Sequence, residues 1–144
     1  MNDEMMFDTT IIVYAYDISE PKKREVCKKL IEQVFKGEKK GFISNQILGE
    51  LFIVLTEKIE NTLSIEEAEG IVDGIIESKD WIKVDYNSGT VKRAIETSKK
   101  FNIHFWDAVI GETMLENSIS AICTENEKDF DKIPKIKVVN PLRF

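Results

Sequence analysis

Residues 5–16 read MMFDTTIIVYAY, an apolar, β-branched run broken once by an acid, Asp8. The run reads as a buried strand passing into a short following segment, because strands covered on both faces are almost continuously hydrophobic. Working outward, Pro21 opens PKKREVCKKLIEQVFKGEKK, where Val26, Leu30, Ile31 and Val34 recur at helical spacing before Gly37 and Gly41 end the pattern. A short strand, GFIS, follows, and then NQILGELFIVLTEKIE, whose length and Asn45 cap predict a largely buried helix. In SIEEAEGIVDGIIESKD, Ser64 and Glu67 form a capping box ahead of Ile71 and Ile75. WIKVDY, SAICT and IKVVN read as further strands, NSGTVKRAIETSKKFN and FWDAVIGETMLENS as helices, and NEKDF as a turn or single helical turn. Strands alternating with helices of about 10 to 16 residues imply right-handed β-α-β crossovers. The fold class is therefore α/β: one domain over residues 1–144, with a mostly parallel central sheet of about five strands and helices on both faces, a three-layer α/β/α arrangement.

Composition bounds the chemistry. A chain of 144 residues with 42% hydrophobic residues, 26 acids and 20 bases is an acidic globular protein of net charge -6. No apolar run approaches the roughly 18 residues that span a bilayer, and the opening MNDE lacks the positive region of a signal peptide, so a cytoplasmic protein without a membrane partner is expected. Cys27 and Cys123 have no C-x-x-C spacing and read as reduced core thiols. His104 is the only histidine, which excludes H-E-x-x-H metalloproteases and His-rich zinc sites. It reads as a packing or capping residue, and its neighbours Phe105 and Trp106 as core rather than as a base-stacking platform. Charge is uneven: Pro21–Lys40 holds eight basic and three acidic residues, Glu50–Asp80 nine acidic and two basic. The basic helix is either a solvated face or a contact for a phosphate backbone or acidic partner.

With histidine scarce, carboxylates are the expected working groups, and a few stand where surface acids should not. Asp8 interrupts the first apolar run near the expected carboxyl end of a strand, where ligands collect in open α/β sheets; it could equally cap the next helical turn. Glu50 lies within ILGELFIVL and points either into a cleft or to solvent. Asp107, in FWDAVIG, is either a cleft residue or a first-turn acid stabilised by the helix dipole, with Gly111 one turn on leaving room for an approach. In AICTENEKDF, Thr124 ends a strand, and Asn126 and Asp129 could face the same crevice or form an Asx-turn. Oxygen donors of this kind suit hard divalent cations such as Mg²⁺ or Mn²⁺, and the corresponding chemistry is phosphodiester hydrolysis or phosphoryl transfer.

The order FDTTIIVYAYD, SNQILGELF, FWDAVIGETM and CTENEKDF resembles the PIN domain family, in particular the VapC-like toxin ribonucleases of prokaryotic toxin–antitoxin systems, over essentially the whole chain. The resemblance implies a metal-dependent endoribonuclease that hydrolyses RNA phosphodiester bonds. Its catalytic acids would be Asp8, Glu50, Asp107 and Asp129. One or two Mg²⁺ or Mn²⁺ ions would be held by Asp8, Asp107 and the Asn126/Asp129 pair, with Glu50 a direct ligand or acting through water. Thr124 matches the family's hydroxyl after the fourth strand, Ser44 a commonly polar position, and Thr10 a position more often occupied by Asn that orients the first acid. A homodimer and a cognate antitoxin protein are implied as well.

Two other readings compete. Asp8-Thr9-Thr10 after a first strand resembles haloacid-dehalogenase-like aspartyl-phosphate phosphatases, but those enzymes place a second Asp where this chain has Thr10. A degenerate PIN-like module that binds RNA or protein without catalysis is opposed by the presence of all the main acids.

Overall fold

Asp8 ends the first strand and starts a helix. In a computed structural model, which describes residues 4–144, β1 is Glu4–Phe7 and the apolar run continues as α1, Thr9–Tyr14. The Asp8 carboxylate accepts the Thr9 N–H at 2.9 Å, so the strand is shorter than its hydrophobic run and the following segment is helical. Residues 1–3, part of the MNDE opening discussed above, lie outside the described residues.

The chain continues through α2 (Pro21–Phe35), which Pro21 opens, and β2 (Lys40–Ser44) to α3 (Asn45–Ile53). The cap of α3 is Ser44 and not Asn45: the Ser44 Oγ accepts the Ile47 N–H at 3.2 Å, and Asn45 is already helical. A π-helical segment, Val54–Lys58, extends α3, and then come α4 (Ile65–Glu77), with the Ser64/Glu67 capping box, and β3 (Trp81–Val84). Next are α5 (Ser88–Phe101), α6 (Phe105–Glu116), β4 (Ala121–Cys123), α7 (Glu127–Phe130) and β5 (Lys137–Val139).

All five strands are parallel and lie in one sheet, in the order β3-β2-β1-β4-β5. From β1 the chain steps outward twice in one direction, then crosses back to the other side of β1. Right-handed crossovers on these two paths put α1–α4 on one face and α5–α7 on the other. The reversal lies between β1 and β4, where Phe7 pairs with Cys123.

The core fills both sides of β1 with Met5, Met6, Phe7, Ile11 and Ile12, all fully buried. Trp81 packs edge-to-face on Phe7 and Phe35 at 5.2 and 5.8 Å. Its ring lies so close to β2 that a Cβ at Gly41 would meet it at 2.8 Å, which accounts for glycine there. Cys27 and Cys123 are free and buried, and burial pushes both thiols up to about 12, as core thiols require. Among the described residues no helix is long and apolar enough to cross a membrane.

Candidate active site

The reversal in strand order places the ends of β1 and β4 side by side, and the residue after each carries a polar side chain. The Asp8 N–H continues the ladder by donating to the Cys123 carbonyl at 3.0 Å. Thr124, fully buried, donates its hydroxyl to Asp8 Oδ2 at 2.7 Å and accepts the Asn126 N–H at 2.9 Å. Burial pushes the Asp8 carboxyl above its ordinary value; the bonds from Thr124 and the Thr9 N–H oppose that rise, and the charge of Glu50 adds to it.

Three helices bring further acids. From α3, Glu50 accepts the Thr9 hydroxyl at 3.3 Å and the Gln46 side-chain amide at 3.1 Å. From the first turn of α6, Asp107 accepts the Asn126 side-chain amide at 2.9 Å. Asp129, in α7, hydrogen-bonds to Asp107 and accepts the His104 N–H at 3.3 Å. Burial, then this bond to Asp129 and the charges of Asp8 and Asp129, push Asp107 up to about 7, against the pull of Asn126. Desolvation also acts on Asp129, but bonds from Asp107, the His104 N–H and Asn126, with the nearby charge of Lys132, hold it below the usual value. The two carboxyls lie close enough to titrate together, with Asp107 raised and Asp129 lowered.

Asp8, Thr9, Glu50, Asp107, Glu125 and Asn126 line a polar pocket of about 340 Å³ at the carboxyl edge of the sheet. The acids arrive from β1, α3, α6 and the β4–α7 loop, and among the described residues no basic side chain lines the pocket. This is where open parallel sheets bind ligands.

Residues 5–136 match the PIN domain family. The chain belongs to that family. Its fold is similar to VapBC2 from Rickettsia felis, solved with a promoter DNA fragment (TM-score 0.68, 20% identity, 95% of this chain and 98% of that one). It is also similar to a toxin–antitoxin complex from Klebsiella pneumoniae (0.67, 17%, 97% and 99%). A third similar structure is VapC20 of Mycobacterium tuberculosis, a toxin that cleaves the sarcin–ricin loop (0.66, 16%, 86% and 91%). At these identities the likeness is one of fold. No curated protein sequence matches the chain significantly.

Within this PIN fold, Asp8, Glu50, Asp107 and Asn126 meet in one pocket, while Asp129 stands against Asp107 and does not line it. Three positions differ from their sequence reading. Thr10 is exposed and also lines the pocket, but the residues that orient Asp8 are Thr9, through its N–H, and Thr124. Ser44 is buried as the α3 cap and reaches the pocket only through the helix it starts. Gly111 leaves no space for a ligand, because Ile133 fills it: a Cβ there would stand 2.6 Å from Ile133 Cδ1.

The sequence reading passed over Glu125 and Thr9. Glu125 accepts the Tyr14 hydroxyl at 2.8 Å and pairs with Lys23 of α2 at 3.0 Å, so one residue of the basic helix reaches the edge of the acidic pocket. Its only sequence signal was its place between Thr124 and Asn126. Trp106 is not core: 44% of its surface is exposed. His104 sits at the cap position of α6 but makes no side-chain capping bond.

The donor set fits a hard divalent cation. Every facing group offers oxygen, the acids repel one another, and burial holds Asp8 and Asp107 above their ordinary values, the state a cation would reverse. Among the described residues no three His, Cys, Asp or Glu side chains close around one point, since Asp8, Glu50 and Asp107 are each turned towards protein donors.

Proposed function

We propose that this PIN domain protein is a Mg²⁺- or Mn²⁺-dependent endoribonuclease acting as the toxin of a VapBC-type toxin–antitoxin pair. The observation that carries the reading is the convergence of Asp8, Glu50, Asp107 and Asn126 on one pocket without a basic lining residue. A phosphodiester cannot approach such a cluster of negative charge without a counter-cation.

Asp8, Asp107 and Asn126 would hold the ion, with Glu50 a direct ligand or acting through water. When bound, the ion supplies Lewis-acid polarisation of a phosphoryl oxygen and makes water at the site more acidic. Thr124 and the Thr9 N–H fix the Asp8 carboxylate, so that little reorganisation is needed on binding. Thr9 and Gln46 hold the Glu50 carboxylate at the pocket, where it would join the ion directly or through water.

A protein partner is supported by exposed apolar surface. Leu48, Gly49, Phe52, Ile65 and Val72 line a groove between α3 and α4, and Ile65 is 62% exposed. This face suits the apolar side of an antitoxin helix or a second copy of the chain in a homodimer. The test is cleavage of single-stranded RNA by the purified protein with Mg²⁺ or Mn²⁺. Activity is expected to vanish in EDTA and in Asp8→Asn; activity that survives both overturns the reading.

A further inference from the structure

Beside the acidic pocket runs an open groove of about 740 Å³, and Glu50 lines both. Its walls come from the start of α3 (Asn45, Gln46), the β3–α5 loop (Tyr86, Asn87) and Trp106, which directly precedes Asp107 on α6. The Tyr86 and Phe105 rings meet the indole edge-to-face, at 6.3 and 5.0 Å with interplanar angles of 66° and 69°. Neither ring lies parallel to the indole, and 44% of Trp106 remains exposed. Among the described residues no lysine or arginine lines the groove, so it offers no grip for phosphate; it offers aromatic surface, side-chain amides and, at its rim, the carboxylates of Glu50 and Asp85.

A planar, uncharged group with hydrogen-bonding edges fits these walls, and one attached to a strand entering the acidic pocket can reach them. We propose that Trp106 and Tyr86 form a nucleobase subsite. There an unpaired base next to the scissile phosphate stacks on the indole while the Asn45 amide, Gln46 Oε1 and Asn87 Nδ2 meet its edge, the Gln46 amino group being held by Glu50 and Asn87 Oδ1 by the start of α5. The inference rests on the ribonuclease reading and adds what that reading lacks, a contact that selects a nucleotide. The PIN pocket holds the phosphate; this groove holds the base and fixes which phosphate is presented. Double-stranded RNA is disfavoured, because a paired base must first leave its stack to enter the groove.

The test is a set of short single-stranded oligoribonucleotides around a cleaved bond, each with one abasic position, given to the wild type, Trp106→Ala, Trp106→Phe and Tyr86→Ala. The wild type is expected to lose about tenfold or more in kcat/KM at one abasic position adjacent to the cut. Trp106→Ala should lose a similar factor on intact RNA yet show no further loss at that position; Tyr86→Ala should show the same pattern more weakly, and Trp106→Phe should restore most of the activity. An uncleavable 2′-O-methyl oligonucleotide should quench the fluorescence of the wild type and not of Trp106→Phe, which keeps only the buried Trp81. Wild-type kinetics and an unchanged abasic profile in both alanine variants would overturn the subsite alone. Failure of the wild type to cleave or bind any RNA would overturn the ribonuclease reading and the subsite with it.

Discussion

Thr124 Oγ1 donates to Asp8 Oδ2 over 2.7 Å, joining the residues that follow β4 and β1 where the strand order reverses. The hydroxyl is fully buried and also accepts the Asn126 N–H, so one side chain organises two residues of the pocket. Thr124→Val keeps the shape and removes both bonds. Leaving buried polar groups without partners costs about 1–3 kcal/mol, and for a chain of this size the melting temperature should fall by roughly 3 to 10 °C. Thr124→Ser should recover both stability and RNA cleavage. Calorimetry and cleavage assays on the two variants check this, and a valine variant that melts and cleaves like the wild type would show the bond to be dispensable.

Asp107 makes stability depend on pH in a direction opposite to that of an ion-paired acid. Its carboxyl stands at about 7 in the folded chain against an ordinary 3.8, so between those values the folded state binds more protons than the unfolded state. Stability of the metal-free protein therefore falls as pH rises through that interval and levels off above it. Asp8, also raised, acts in the same sense, whereas Asp129, held low, acts in the opposite sense and in more acidic solution. Asp107→Asn removes one such group. The melting temperature of the variant minus that of the wild type should grow from about pH 4 to about pH 7 in EDTA; a difference that stays constant would show that the Asp107 carboxyl is not raised.

Divalent cations should reverse that trend. A ligand at a hundred times its Kd stabilises the folded state by about 2.7 kcal/mol, so saturating Mn²⁺ should raise the melting temperature by several degrees at pH 7.5. The increase should shrink at pH 5.5, because protons compete for Asp8 and Asp107. Asp8→Asn should abolish it. Glu125→Gln should leave it nearly intact, since Glu125 is already occupied by Tyr14 and Lys23. Thermal melts with and without Mn²⁺ decide the matter, and an equal shift in Asp8→Asn would place the ion elsewhere.

The parts of this protein that could be read from its sequence are those governed by hydrophobic period. The parallel α/β order followed from strands such as SAICT and helices such as that after Pro21, because burial on both faces of a sheet leaves a pattern in the chain. What could not be read depends on a few ångströms of tertiary approach. The helical character of Thr9–Tyr14 was hidden because Ile11, Ile12 and Val13 are equally apolar as strand or buried helix. The grouping of Asp8, Glu50 and Asp107 with the Asn126/Asp129 pair was expected from the resemblance, which left open which of the pair joins them; Thr9 and Glu125 were not expected, since nothing local marks a threonine or a glutamate as facing a pocket built by distant residues. Trp106 was misplaced in the core for a similar reason: its exposure follows from the groove beside α6, not from its neighbours Phe105 and Asp107.

Gly111 gives a final test of how packing supports the pocket. A Cβ at this position would lie 2.6 Å from Ile133 Cδ1, so Gly111→Ala must push Ile133 aside. Overpacking of this kind costs about 1–3 kcal/mol, partly offset by the roughly 1 kcal/mol gained on replacing glycine with alanine inside a helix. Ile133 is tied to α7 through its N–H bond to the Phe130 carbonyl, so its displacement should also move Asp129 against Asp107. Ile133→Val removes the clashing methyl, and alone should cost about 0.5–1.5 kcal/mol. The double variant should be more stable than the sum of the two single losses predicts, and should regain cleavage that Gly111→Ala loses. A double-mutant cycle in urea measures this coupling; strict additivity would mean that Ile133 yields freely and that Gly111 is not fixed by this contact.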